Sequence, residues 1–254
     1  MDDLRDAGMN VLPLDVTSSE SISTCKDRVK ELTGGRLDIL VNNAGVTHTV
    51  PATDIDVDEV RKTFETNVFG VMAMVQAFAP YLIQTRGLIL MISSVSSVSP
   101  YIFGSVYCAS KGALNSYSRT LRQELRPFGV RVIVSMTGTV KSKIAKADRS
   151  LPPNSLYLPI KKEYAKRLLF SQNNATIETG ECARRLVNET LKGEGWLGWI
   201  RAARNWIWLG GMSTQIWLLR LLFGEWLLDL LSYRRFGLHK LEAIHRKETA
   251  RLNK

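Results

Sequence analysis

The sequence predicts an α/β fold, a doubly wound parallel sheet with helices on both faces. Two observations carry this expectation. Runs that are apolar almost throughout (residues 37–41, 88–92 and 130–134) alternate with amphipathic helical stretches. Strands of that kind, without polar alternation, belong to sheets covered on both sides. The chain has 254 residues, 45% hydrophobic and 23% charged, enough to bury a large core. That balance excludes a disordered, collagenous or coiled-coil chain as the main content.

The elements follow in order. Residues 9–15 read as a strand, ending in Asp15-Val16-Thr17. Ser19 and Ile22 open a helix that Gly34-Gly35 closes. Residues 37–41 form a strand that ends in Asn42-Asn43-Ala44-Gly45. A helix starts near Val57, and Val68, Val71, Met72, Val75, Phe78 and Ala79 give it one buried face. After Gly87 come a strand over 88–92, a serine-rich loop, a helix around 107–125 and a strand over 130–134. The polar stretch 150–190 predicts short helices over the site, and residues 196–236 hold all six tryptophans.

Charge and cysteine content narrow the classes of partner. The net charge is +10, and residues 201–254 contribute ten Lys/Arg against four Asp/Glu. That excess fits either a solvated surface or contact with anionic lipid or a phosphorylated substrate. Nucleic acid is not expected, because no recognition motif interleaves the basic residues. Cys25, Cys108 and Cys182 are too few and too scattered for a disulfide framework or a zinc site, so no metal and a cytosolic setting are expected. The opening residues are polar, without the apolar core of a secretory signal.

In parallel α/β sheets ligands bind beyond the carboxyl ends of the strands. The segments to inspect are therefore 15–17, 42–45, Ser93-Ser94 and 137–142. Tyr107 and Lys111 share one face of a helix. An ammonium beside a phenol favours the phenolate and lowers its pKa, which suits proton transfer near neutral pH. By itself the spacing also describes an ordinary surface pair, and Asn67 by itself a tolerated surface residue. Ser94, at a strand end, offers a hydroxyl to a substrate carbonyl.

Taken together, Asn42-Asn43-Ala44-Gly45, Asn67, Ile92-Ser93-Ser94 and Tyr107-Cys-Ala-Ser-Lys111, in that order, resemble the short-chain dehydrogenase/reductase family over residues 1–142. The resemblance implies a Rossmann-like domain and hydride transfer between NADP(H) and a carbonyl. It implies Tyr107 as general acid/base, Lys111 as its partner and ribose ligand, Ser94 as carbonyl polariser and Asn67 as anchor of a proton relay. It further implies cofactor contacts from Asp15, Asn43, Val140 and Ser142, and pairing of two copies through the helices carrying Asn67 and Tyr107. At 137–142 a threonine stands where the family usually has proline, and Ser142 stands for a threonine.

The family's Thr-Gly-x3-Gly-x-Gly turn is not reproduced by Gly8, Gly34 or Gly35. Residues 1–8 look like the end of the second unit, so the first two strands and the helix between them are expected to be lacking. Three readings stand: an incomplete gene model of a working enzyme, an inactive remnant that binds membrane or a partner reductase, and a chain with weak cofactor binding through its remaining contacts. Residues 1–190 are read as the dinucleotide-binding and catalytic domain, and 191–254 as an apolar helical extension. The uncharged run 205–219 is 15 residues, short of the roughly 20 that span a bilayer. Leu218, Leu221, Leu222, Trp226 and Leu230 recur at helical spacing, as in an interfacial helix, a dimer face or a lid. This tail and the Thr137-Gly138 departure resemble the fungal 1-acyldihydroxyacetone-phosphate reductase-like branch. That resemblance implies a lipid-like ketone or a secondary-metabolite intermediate as substrate, at the cytoplasmic face of the endoplasmic reticulum or on lipid droplets. Lys141, Lys143 and Lys146 are candidates for a substrate phosphate.

Overall fold

The computed structural model of the chain describes residues 2–142, 144, 149–192 and 205–252. Helix α1 (Asp2–Asp6) precedes α2 (Ser19–Thr33), which Ser18 caps by accepting the Ser21 N–H and Gly34 ends in a left-handed conformation. Strand β1 (Ile39–Asn42) leads to α3 (Val57–Phe64), a π-helical turn (Glu65–Phe69) and α4 (Gly70–Thr85). Strand β2 (Leu88–Ser94), α5 (Ser105–Leu125) and β3 (Arg131–Thr137) follow. Next come α6 (Lys161–Leu168), α7 (Phe170–Asn173), α8 (Thr179–Leu191) and β4 (Trp206–Leu209). The described chain closes with α9 (Ser213–Phe223), α10 (Trp226–Arg235) and α11 (Leu238–Leu252).

The four strands are all parallel, in the order β1-β2-β3-β4. Strand alternation divides the core in two. Ile89 and Met91 of β2, with Val132, Val134 and Met136 of β3, face α4 and α5. Leu88, Leu90, Ile133 and Ile207 face the other way, against Leu186 of α8. The continuous helical run Val57–Thr85 is long and apolar enough, with mean hydropathy 1.4, to meet the composition of a membrane span. Its residues Val71, Val75, Phe78 and Leu82 are instead buried in the core against the sheet.

Two sequence expectations are corrected by the structure. Residues 9–15 form no strand: the segment pairs with none among the described residues, and Met9 and Leu14 are exposed. Only Leu12 and Val16 pack on the core, so the β pattern is present without a ladder partner to satisfy it. The helix begun at Val57 runs through to Thr85 as expected, with a π turn within it. Residues 206–209, expected within a helical extension, are β4 of the sheet. The Arg122 guanidinium fixes this arrangement. Its Nε donates to the Val132 carbonyl at 2.7 Å, its Nη2 donates to the Asn205 carbonyl at 3.1 Å, and its Cζ lies 5.5 Å from the Trp206 ring centroid. The helices α9, α10 and α11 are helical as the sequence suggests. Trp196 and Trp199 lie outside the described residues.

Burial makes this division testable. Leu82→Ala, at a fully buried site, is expected to cost about 2–5 kcal/mol. Leu14→Ala, on the unpaired segment, is expected to stay within about 0.5 kcal/mol of the parent. Urea denaturation followed by circular dichroism measures both; equal losses would return residues 9–15 to the core.

Candidate active site

The carboxyl ends of β1 and β2, the π turn and the first half of α5 meet at one place. Tyr107 and Lys111, one helical turn apart, are both buried on the face of α5 that packs on β2. Lys111 Nζ donates to the Ile92 carbonyl at 2.8 Å and sits 5.9 Å from the Tyr107 ring centroid. Ser94, the last residue of β2, stands beside the Tyr107 hydroxyl and acts to lower its pKa.

Asn67 lies inside the π turn and is fully buried. A π turn widens the helix by one residue and is often found at functional sites. The Asn67 Oδ1 accepts the Val46 N–H at 2.8 Å, and its Nδ2 donates to the Val46 carbonyl at 2.9 Å and to Ser110 Oγ at 3.0 Å. Ser110 in turn donates to the Tyr107 carbonyl at 2.8 Å. The loop after β1 is thereby tied to α5. A Cβ at Gly45 would come within 3.3 Å of Asn67 Oδ1, a tight contact to which the amide would have to yield slightly, and within an ordinary 3.6 Å of Lys111 Nζ.

The electrostatics differ from the sequence expectation in one respect. Burial pushes the Tyr107 phenol up to about 12, and the hydrogen bond from Ser94 only partly offsets it. Lys111 does not lower it; burial instead brings the lysine down to about 8. The ammonium stands behind the ring, and the desolvation of each group outweighs their mutual effect. At neutral pH the phenol is therefore a proton donor beside a mainly charged lysine.

The other sequence-predicted residues lie outside this hydrogen-bonded group. Asn43 is exposed after β1, and among the described residues its side-chain amide has no partner. Asp15 is exposed, and its Oδ1 accepts the Thr17 N–H at 2.9 Å and the Thr17 hydroxyl at 2.7 Å, which lowers its pKa. Val140 and Ser142 follow β3, with Ser142 exposed and the intervening Lys141 paired to Glu178. Lys143 and Lys146 lie outside the described residues.

Two features were missed. Asn115, one turn beyond Lys111, accepts from Ser93 Oγ at 2.6 Å and donates to Ser97 Oγ at 2.7 Å, bracing the loop after β2. The 107/111/115 spacing could have found it. Tyr101 packs 5.9 Å from Tyr107, bonds Thr49 Oγ1 at 3.2 Å and carries the Arg167 guanidinium 3.3 Å from its ring centroid. No local pattern marks it.

The short chain dehydrogenase family model matches residues 2–152. Short-chain dehydrogenase fogD of Aspergillus ruber is 40% identical over 246 residues, covering 96% of this chain and 83% of that protein. The chain belongs to the short-chain dehydrogenase family. It is an oxidoreductase of that family, and its fold agrees: a crystal structure of a short-chain dehydrogenase from Streptomyces avermitilis superposes with a TM-score of 0.67 at 26% identity, covering 97% of this chain and 84% of that one. A further relative is the NADPH-dependent 1-acyldihydroxyacetone phosphate reductase of Schizosaccharomyces pombe, 42% identical over 168 residues, which cover 64% of this chain and 57% of that protein.

Asn67→Ala would leave the Val46 N–H and carbonyl without a buried partner and would remove the donor to Ser110 Oγ. The expected loss is about 3 kcal/mol, at the upper end for unsatisfied buried groups. Thermal denaturation checks it; a change under about 0.5 kcal/mol would mean that Asn67 does not hold the loop.

Proposed function

We propose that the chain is an NADPH-dependent carbonyl reductase acting on a lipid-like ketone, such as a 1-acyldihydroxyacetone phosphate, or on a fungal secondary-metabolite intermediate. The observation that carries this is the Ser94–Tyr107–Lys111 group: a buried neutral phenol beside a half-buried serine hydroxyl, with a buried ammonium behind the ring. The Schizosaccharomyces relative's name supports both NADPH and the lipid ketone.

The residues at the nicotinamide end fit the cofactor. Lys111 has three N–H donors and Ile92 engages one, leaving two for ribose hydroxyls. Glycine at 45 lets the backbone close in beside that ammonium, and the free Asn43 amide stands on the same loop. By resemblance to the family, Asp15 serves the adenine end, and Val140 and Ser142 serve the carboxamide. NADPH, when bound, supplies the hydride. The substrate carbonyl oxygen then accepts hydrogen bonds from Ser94 and Tyr107, and as it becomes an alkoxide it takes the Tyr107 proton. Exclusion of water strengthens each of these interactions.

A membrane surface is the proposed working place. Trp217, Leu221, Leu222 and Trp226 of α9 and α10 are exposed, with Leu221 65% and Trp226 62% accessible, and Arg220, Arg234 and Arg235 lie on the same two helices. Flotation with phosphatidylserine vesicles is expected and should weaken with salt; a chain that stays in the soluble fraction, as a monomer or a dimer, would overturn this placement.

Tyr107→Phe is expected to lower kcat by at least about 100-fold while NADPH binding, read by fluorescence, persists. Unchanged reduction would remove the assignment. Because the lysine titrates at about 8 and the phenol near 12, kcat/KM for reduction should fall as pH rises through about 8, where Lys111 loses its charge. Lys111→Met should abolish that limb; a limb that persists in the variant would assign it elsewhere.

A further inference from the structure

We propose that Ser96 is a positioning residue that fixes the Ser94 hydroxyl as a hydrogen-bond donor toward the reacting oxygen. The inference rests on the reductase reading and adds to it a residue outside the catalytic set.

A serine hydroxyl has one proton to give and two lone pairs to fill. Ser94 Oγ accepts the Ser96 N–H at 3.2 Å and the Ser96 hydroxyl at 2.8 Å. Both lone pairs are taken, so the remaining proton points away from Ser96. The Tyr107 hydroxyl, beside which a carbonyl must sit, is the neighbouring group on which Ser94 acts. A ketone oxygen only accepts, so a Ser94 free to rotate would spend part of its time with a lone pair facing it, which repels. Ser96 removes that state. It is itself buried, 5% accessible, so bulk water cannot take its place.

The loop does not depend on this hydroxyl for its shape. The Ser97 hydroxyl donates to the Ser94 carbonyl, Asn115 holds Ser97 and Ser93, and Ser99 Oγ donates to the Val95 carbonyl at 2.9 Å. The Ser96 N–H stays in place in an alanine variant. A purely structural role would be spread over these contacts; the role of the Ser96 hydroxyl is directed at one atom.

Ser96→Ala is expected to lower kcat about 3- to 10-fold, the value of one neutral hydrogen bond. KM, NADPH affinity and Tm should stay near those of the parent. Ser99→Ala, which removes a loop hydroxyl aimed elsewhere, should leave kcat unchanged. A Ser96→Ala kcat within twofold of the parent, or a loss of equal size in Ser99→Ala, overturns the proposal. A neutron structure of the perdeuterated protein decides the matter without turnover. The Ser94 deuteron is expected on the Tyr107 side and the Ser96 deuteron on Ser94 Oγ; a Ser94 deuteron directed at Ser96 overturns the proposal. A parent protein that reduces no ketone yet shows the expected deuterons would instead remove the reductase reading and leave the hydrogen-bond assignment standing.

Discussion

A single hydrogen bond between the Lys111 ammonium and the Ile92 carbonyl sets the position of the other groups. A buried charge is costly, and it persists here because a strand-end carbonyl meets it. Helix α5 must therefore present this face to β2 at this height, which places Tyr107 over the end of the strand and beside Ser94. The loop after β1 closes against the same ammonium at Gly45, and Asn67 clamps that loop through both backbone groups of Val46. The site is thus assembled from groups that satisfy one another first.

Much of the frame was legible in the sequence. The core strands read as strands because their apolar runs are short and bounded, and a parallel sheet buried on both faces demands that pattern. Tyr107 and Lys111 were legible because a spacing of four is a geometric statement about a helix. How deeply they are buried was not, and that depth reverses the expected shift of the phenol. A Trp- and Leu-rich run reads equally well as helix or strand; what makes 206–209 a strand is the open edge of β3 and the reach of Arg122, both distant in sequence. Residues 9–15 fail in the opposite sense, with a local β preference and no pairing partner. Tyr101 and Arg167 could not be read, since their stacking joins segments that only the fold brings together.

The polar residues around Ser94 form two separate systems. Ser93, Asn115 and Ser97 hold the backbone, while Ser94 and Ser96 are joined to each other on the side of Tyr107. Alternation along β2 sends Ser93 and Ser94 to opposite faces, so two adjacent serines do different work.

The π turn at Glu65–Phe69 has a consequence for how the gene can vary. Such a turn stores one surplus residue as local slack, leaving the helical segments before and after it on their faces. Loss of one codon between 65 and 69 would let the helix relax to ordinary winding with Val71, Phe78 and Leu82 still inward, and would withdraw the Asn67 side chain from Val46. There a change of length would separate a folded chain from one whose β1 loop is still held by Asn67.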